Sequence, residues 1–296
     1  MLPFVFLDAA KMGPLKPFGL FFVIGAWVAD SLASWRARVT GHDEANYKAF
    51  RIACLVGGIV IGHWIDMLFY HPGDIVRTPL KLLMIWDSMS STGTFVGAFL
   101  GTVFWKYYDV RRDGLRLRVT RRQVPERLMP YLDLNFSITP IAFAIGRVGC
   151  AMVHDHPGKL APAGSPFALA WPVDANDGFH HIYGPLHVVT GGSTSRYDLG
   201  LLEALVLSVM SVLFVALWPR QKTMADGTFT GLACALYGTA RFFLDMLRVT
   251  EGPEAEMRYF GFTFAQYWSL VVVAIGAVLL VRVARARRPE GASTSA

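Results

Sequence analysis

The chain is 296 residues long, 53% hydrophobic and only 17% charged, with a mean hydropathy of +0.40. Such values exclude a soluble enzyme of ordinary composition and describe an integral membrane protein of one domain. The net charge of +6 sits largely on arginines in loops beside apolar runs. That is a topology signal rather than a basic groove with interleaved aromatics, so no nucleic-acid partner is expected.

Met1 to Met12 carries Asp8 and Lys11 but no basic region followed by a cleavage site, so no signal peptide is expected. Seven apolar runs then predict spans at about 17–35, 50–70, 92–108, 132–153, 199–218, 228–248 and 263–284. The expected fold is all-α, a single transmembrane domain of seven helices over 1–288 with a flexible tail over 289–296. Cys54, Cys150 and Cys234 lie in apolar segments, which indicates neither a disulfide framework nor a CxxC metal site. Loop charge orients the spans. Lys106, Arg111, Arg112, Arg116, Arg118, Arg121, Arg122 and Arg127 mark the third connection as cytoplasmic. Arg36, Arg38, Lys48 and Arg51 agree for the first connection, Arg220 and Lys222 for the fifth, and Arg282, Arg285, Arg287 and Arg288 for the C-terminus. The connection at about 154–198, poor in strong bases, is then external, and the N-terminus is outside.

Polar groups inside the runs converge at one depth. His63 and Asp66 on the second span, Thr92 on the third, Arg147 on the fourth, Glu203 on the fifth, and Arg241, Asp245 and Arg248 on the sixth all fall in the outer half of the bilayer. Asp30 is the exception. Charges at that depth cost a few kcal/mol each, so they line a polar cavity or pair with one another. At about 100° per residue, Tyr237, Arg241, Asp245 and Arg248 share roughly an 80° arc of one helix face. A bridge between Arg and Asp that merely holds helices together would explain that stripe alone, but structural bridges have no reason to favour one leaflet.

The motifs each have a plainer explanation. In Gly146-Arg-Val-Gly149 the glycines permit close approach and the arginine offers a fork of donors suited to phosphate; a snorkelling arginine at a helix end is the alternative. Ser90-Ser-Thr-Gly-Thr-Phe-Val-Gly97 at the start of the third span offers backbone N–H groups to an anion, or simply caps and packs the helix. Glu203 neutralises an arginine or acts on a substrate proton. His154-Asp-His156, His180-His181 and His187 match no metal signature, and solvated loop histidines are expected there, with no metal.

Several stretches together resemble the prolipoprotein diacylglyceryl transferase family. Gly146-Arg-Val-Gly149 is similar to the start of its Gly-Arg-Ile-Gly-Asn-Phe signature, in which cysteine sometimes replaces asparagine. Tyr237-Gly-Thr-Ala-Arg-Phe-Phe-Leu-Asp-Met-Leu-Arg248 resembles its Tyr-Gly-x-x-Arg-Phe-x-x-Glu-x-x-Arg segment. Arg196 to Ala204, Phe262 to Ser269, Gly13-Pro-Leu, His63 to Tyr70 and Leu80 to Trp86 fit further patterns in order. The resemblance implies a transferase of the bacterial plasma (inner) membrane, multi-pass, with no cofactor. It would move the diacylglyceryl group of phosphatidylglycerol onto the thiol of a prelipoprotein lipobox cysteine, releasing glycerol phosphate. It assigns Arg147, Arg241 and Tyr237 to catalysis, and Arg147, Arg241, Arg248, Gly146 and Gly149 to the phospholipid head group. Glu203, Asp245, Asp155, Thr92, Gly93 and His63 would support them, Asp155 standing near the end of the family's first signature. Two departures stand out. Thr92-Gly-Thr94 occupies the place of a His-Gly-Gly motif whose histidine is proposed as the base, and Phe18 stands where tyrosine is frequent. The proton of the acceptor thiol would then go to His63, His154 or Tyr237, or the arginine field would favour the thiolate, or transfer has been lost. The last outcome would leave a lipid-binding relative. A transporter would need polar residues continuing to the inner leaflet, and a zinc hydrolase would rest on the loop histidines.

Overall fold

A computed structural model of the chain describes residues 1–12, 17–69, 71–85, 88–114, 116–174, 178, 180–250, 255 and 258–286. Gly13-Pro-Leu, Tyr70, Trp86, Arg287, Arg288 and the tail over 289–296 lie outside the described residues, as do the side chains of Phe18, Thr92 and His180.

The helices are α1 (Pro17–Thr40), α2 (Glu44–Phe69), α3 (Pro72–Arg77), α4 (Ser91–Tyr107), α5 (Leu128–Phe136), α6 (Thr139–Val153), α7 (Leu199–Leu217), α8 (Thr228–Asp245) and α9 (Phe264–Ala286). Among the described residues each of the seven apolar runs lies mainly in helix, with a break at 137–138 and an end at Asp245. Three helical stretches among the described residues are long and apolar enough to cross a membrane: Glu44–Phe69, Leu199–Thr223 and Phe264–Ala286. The pair Leu128–Phe136 and Thr139–Val153 makes a fourth if it is one span. It is broken because Pro140, in the first turn of α6, has no N–H to continue the ladder from α5. Large apolar side chains stay uncovered on the helices, Trp27 of α1 at 70% and Val209 and Val212 of α7 at 71% exposure among them. A water-facing helix would not present that surface, whereas hydrocarbon tolerates it.

The expectation of an all-α chain is corrected. The fold is mostly helical, but ten short strands occur among the described residues. β1 (Phe4–Leu7), β6 (His180–Tyr183) and β7 (Leu186–Val189) form an antiparallel sheet in the order β1-β7-β6. β4 (Pro157–Leu160), β5 (Ala168–Trp171) and β8 (Thr194–Asp198) form another in the order β4-β8-β5. The connection at 154–198 is thus folded, and the N-terminal residues are part of its sheet, with Phe4, Leu169 and Val189 as a small core. β2 (Tyr108–Asp113) and β3 (Arg116–Arg121) make a hairpin, and β9 (Arg258–Tyr259) pairs with β10 (Phe262–Thr263).

The chain divides into two compact units, one of residues 1–33 and 136–296, the other of residues 34–135. In the second unit α2 packs on α4 with almost no space between the backbones. A Cβ at Gly97 would lie 2.1 Å from the Gly57 carbonyl oxygen, so glycine is required there. Tyr47, Phe50, Trp105 and Tyr131 stack and cross at one end of the pair. In the first unit Phe214 of α7 meets Phe229 of α8 edge to face, with Leu207, Met210, Ala233 and Ala144 of α6 around them. That packing brings α6, α7 and α8 side by side, and the charged residues lie on the faces they share.

Candidate functional site: a shared carboxylate between two guanidiniums

Glu203 is fully buried on α7. Arg147 Nε of α6 and Arg241 Nη1 of α8 both lie 3.0 Å from its Oε2, the first as an ion pair and the second as a hydrogen bond as well. Tyr237, one turn before Arg241, donates to Oε1 at 2.5 Å. One carboxylate thus collects donors from two neighbouring helices, and the guanidiniums converge on a single oxygen. Phe143 carries the Arg147 guanidinium 5.1 Å above its ring, and the same ring lies 5.6 Å from that of Tyr237. The side chains of Arg147 and Arg241 keep 14% and 15% exposure. Each fork carries five N–H donors, and Glu203 faces one nitrogen of each, Nε of Arg147 and Nη1 of Arg241, so donors remain for an anion.

The neighbours explain why the carboxylate stands there. α7 begins at Asp198, whose carboxylate accepts from the Leu201 N–H at 2.8 Å, a standard N-cap. The same carboxylate binds His154 Nδ1 at 2.6 Å, and His154 Nε2 reaches the Val5 carbonyl at 3.0 Å. His154 ends α6 in the left-handed region, at φ 52°. That conformation costs a non-glycine residue on the order of 1 kcal/mol and is held here by those two bonds. The C-terminus of α6 and the N-terminus of α7 are therefore tied together, which sets Arg147 against Glu203.

A second carboxylate closes α8. Asp245, fully buried, lies 3.6 Å from Arg241 Nη2 and 3.4 Å from Arg248 Nε. The helix stops at Asp245, so Arg248 sits in the following turn rather than on the helical stripe the sequence predicts; its backbone bridges to Gly158 of β4. Thr263 Oγ1 donates to Asp245, and Gln266 fastens the turn by accepting from Thr263 N–H and donating to the Phe242 carbonyl at 3.2 Å. Thr263 and Gln266 lie within the stretch from Phe262 to Ser269 but are not among the site residues the sequence points to. A buried Thr-x-x-Gln at a helix start is the signal that marks them.

The glycines of the arginine motif differ. Space beside Gly146 is open, whereas a Cβ on Gly149 would meet Phe21 of α1 at 2.8 Å, so Gly149 serves helix packing. Asp155 and His156 follow α6 and contact each other at 3.1 Å. Burial pushes the Asp155 carboxyl up, but the hydrogen bond from His156 and the charges of His156 and Arg147 outweigh it and hold it below the usual range. Cys150 accepts from Arg147 Nη1 at 3.6 Å. Cys150, Asp155 and His156 offer ligand atoms within 4.8 Å of one another, the group among the described residues suited to a metal ion.

His63, Thr92 and Gly93 belong to the other unit. The Gly93 N–H donates to Ser90 Oγ and the Thr94 N–H to the Ser90 carbonyl, so both are taken by the helix cap rather than turned to an anion. His63 is held at both ring nitrogens, by the Ser88 and Lys81 carbonyls at 2.9 Å each. Each of the side chains considered as bases is therefore engaged: His63 and His154 by two partners, Tyr237 by Glu203.

The prolipoprotein diacylglyceryl transferase family model matches residues 7–282. A phosphatidylglycerol–prolipoprotein diacylglyceryl transferase of Janthinobacterium sp. (strain Marseille) is 27% identical over 95% of this chain and 96% of its own. Those of Stenotrophomonas maltophilia (strain R551-3) and Xanthomonas oryzae pv. oryzae (strain PXO99A) are 26% and 27% identical, each over 94% of this chain and 92% and 91% of their own.

Proposed function

Since the chain belongs to the prolipoprotein diacylglyceryl transferase family, we propose that it moves the diacylglyceryl group of phosphatidylglycerol onto the thiol of a prelipoprotein lipobox cysteine. The protein sits in the bacterial inner membrane as seven spans, with its N-terminus outside and the arginine cluster in the outer leaflet. The observation that carries this reading is the convergence of Arg147 and Arg241 on one buried oxygen of Glu203. Guanidiniums fixed in that way are preorganised for an anion.

The lipid phosphate approaches the N–H groups of Arg147 and Arg241 that Glu203 does not take. As the acceptor sulfur, its proton given up to water, attacks the glyceryl carbon, the C–O bond breaks and its electron pair leaves on the phosphate. Donors already in place stabilise that charge without reorganising, commonly the largest contribution to catalysis. Tyr237 holds Glu203, and Glu203 fixes the spacing of the two forks; Asp245 does the same for Arg241 and Arg248 from the other side. Gly146 leaves room beside Arg147 for the head group.

A second reading is favoured by Thr92 in the place of the family's histidine: a lipid-binding relative that has kept the cluster and lost transfer. Complementation of a strain depleted of its own transferase separates the two. Restored lipidation of its lipoproteins supports transfer, and Arg147→Ala and Arg241→Ala must each abolish it while the variant protein stays in the membrane. Failure of the parent chain to restore lipidation, with normal membrane levels, selects the second reading.

A further inference from the structure

The motif His154-Asp155-His156 is divided by the fold into two parts. His154 is structural, both ring nitrogens engaged and its ring stacked on Phe4. Its left-handed turn folds the chain back, so that Asp155 and His156 come over Cys150, one helical turn before the end of α6. Thiol, carboxylate and imidazole ligand atoms then lie within 4.8 Å of one another. Tetrahedral zinc, with bonds of ~2.0–2.3 Å, holds its ligand atoms ~3.5 Å apart. Closing the difference takes a shift of about an ångström in the loop, where Asp155 keeps 42% and His156 27% side-chain exposure.

We propose that Cys150, Asp155 and His156 bind one zinc-class divalent cation beside Arg147, leaving a fourth coordination position open. A thiolate and a carboxylate balance the charge of a dication, and imidazole completes a ligand set typical of zinc. The surroundings orient the ligands. Arg147 Nη1 donates to the Cys150 sulfur, and the His156 carbonyl accepts from Leu199 N–H at 3.1 Å, which fixes its backbone to the start of α7.

The role of the ion rests on the transferase reading; its binding does not. With an ion held by Cys150, Asp155 and His156, its Lewis acidity would favour loss of the acceptor thiol's proton to water, leaving a thiolate. Its sulfur forms the C–S bond as the glyceryl C–O bond breaks, and glycerol phosphate leaves with the electron pair. The ion thereby supplies the activation that a threonine in the place of a histidine cannot.

The test uses the purified full chain in detergent, titrated with Co²⁺ and then with Zn²⁺. One equivalent of metal per chain is expected, with a sulfur-to-cobalt charge-transfer band that zinc displaces. Asp155→Asn, on the exposed loop, and Cys150→Ser must each weaken binding at least tenfold, the latter also removing the band, while Cys234→Ser binds as the parent does. No stoichiometric binding, or unchanged binding in Asp155→Asn, overturns the site. Metal-stripped protein should still bind phosphatidylglycerol vesicles, lose transfer to a lipobox peptide, and regain it with Zn²⁺. Transfer that survives stripping overturns the role. A chain that binds metal but never transfers overturns the transferase reading and leaves the site standing.

Discussion

Replacing Glu203 by glutamine keeps the side-chain volume and removes one buried charge. Arg147 and Arg241 each face that carboxylate at 3.0 Å. At an effective dielectric of about 20, each pair carries roughly 5 kcal/mol of gross Coulomb attraction. Desolvation offsets much of this, and removing one member of a buried pair typically costs about 3–5 kcal/mol, because the other charge is left buried and uncompensated. Two guanidiniums are left here, still partly wet, so we expect a loss of about 3 kcal/mol, close to a hundredfold in the folding equilibrium. Reversible unfolding in mixed detergent micelles measures it. The double variant Glu203→Gln/Arg241→Gln should lose less than the sum of the two single changes, by about 1–3 kcal/mol, because removing Arg241 also removes one of the stranded charges. Single losses that add to within about 0.5 kcal/mol would refute Glu203 as the hub of the cluster.

Arg241→Lys keeps the charge but loses the planar fork; turnover should drop roughly a hundredfold, the usual cost of one preorganised donor, in an assay of glycerol phosphate release. Near-normal turnover would contradict the fork argument. Tyr237→Phe deletes one hydrogen bond to Glu203, and should cost about 1.5–3 kcal/mol in the same unfolding assay, less than Glu203→Gln. Gly97→Ala forces α2 and α4 apart, since its Cβ would lie 2.1 Å from the Gly57 oxygen. A loss of about 1–3 kcal/mol is expected, whereas Gly19→Ala, with nothing within 4 Å, should not lower the melting temperature.

The helices were legible because apolar runs long enough for a bilayer leave few alternatives, and their polar interruptions stand out. Arg147, Glu203, Tyr237, Arg241 and Asp245 were visible for that reason. Their pairing was not. Helical spacing put Arg241 and Asp245 on one face, but that Arg147 and Arg241 share one oxygen of Glu203 depends on the packing of Phe214 against Phe229, which no local pattern encodes. The strands were missed because each is two to six residues long, and β1 at Phe4–Leu7 finds its partner in β7 at Leu186–Val189, far away in the chain. Stretches so short carry little periodicity, and their pairing is entirely non-local. His154 looked like one of several solvated loop histidines. Its burial against Phe4 and Asp198 follows from the sheet that Phe4 joins, so missing the strands meant missing the turn that sets Asp155 and His156 over Cys150.

Whether the arginine cluster handles a lipid phosphate during transfer is tested most directly with purified protein, phosphatidylglycerol and a lipobox peptide in one vessel. Glycerol phosphate and thioether-linked peptide should appear in equal amounts with the parent chain, and neither should appear with Arg147→Ala. Release of glycerol phosphate without peptide modification, or undiminished transfer by the Arg147 variant, would contradict the account.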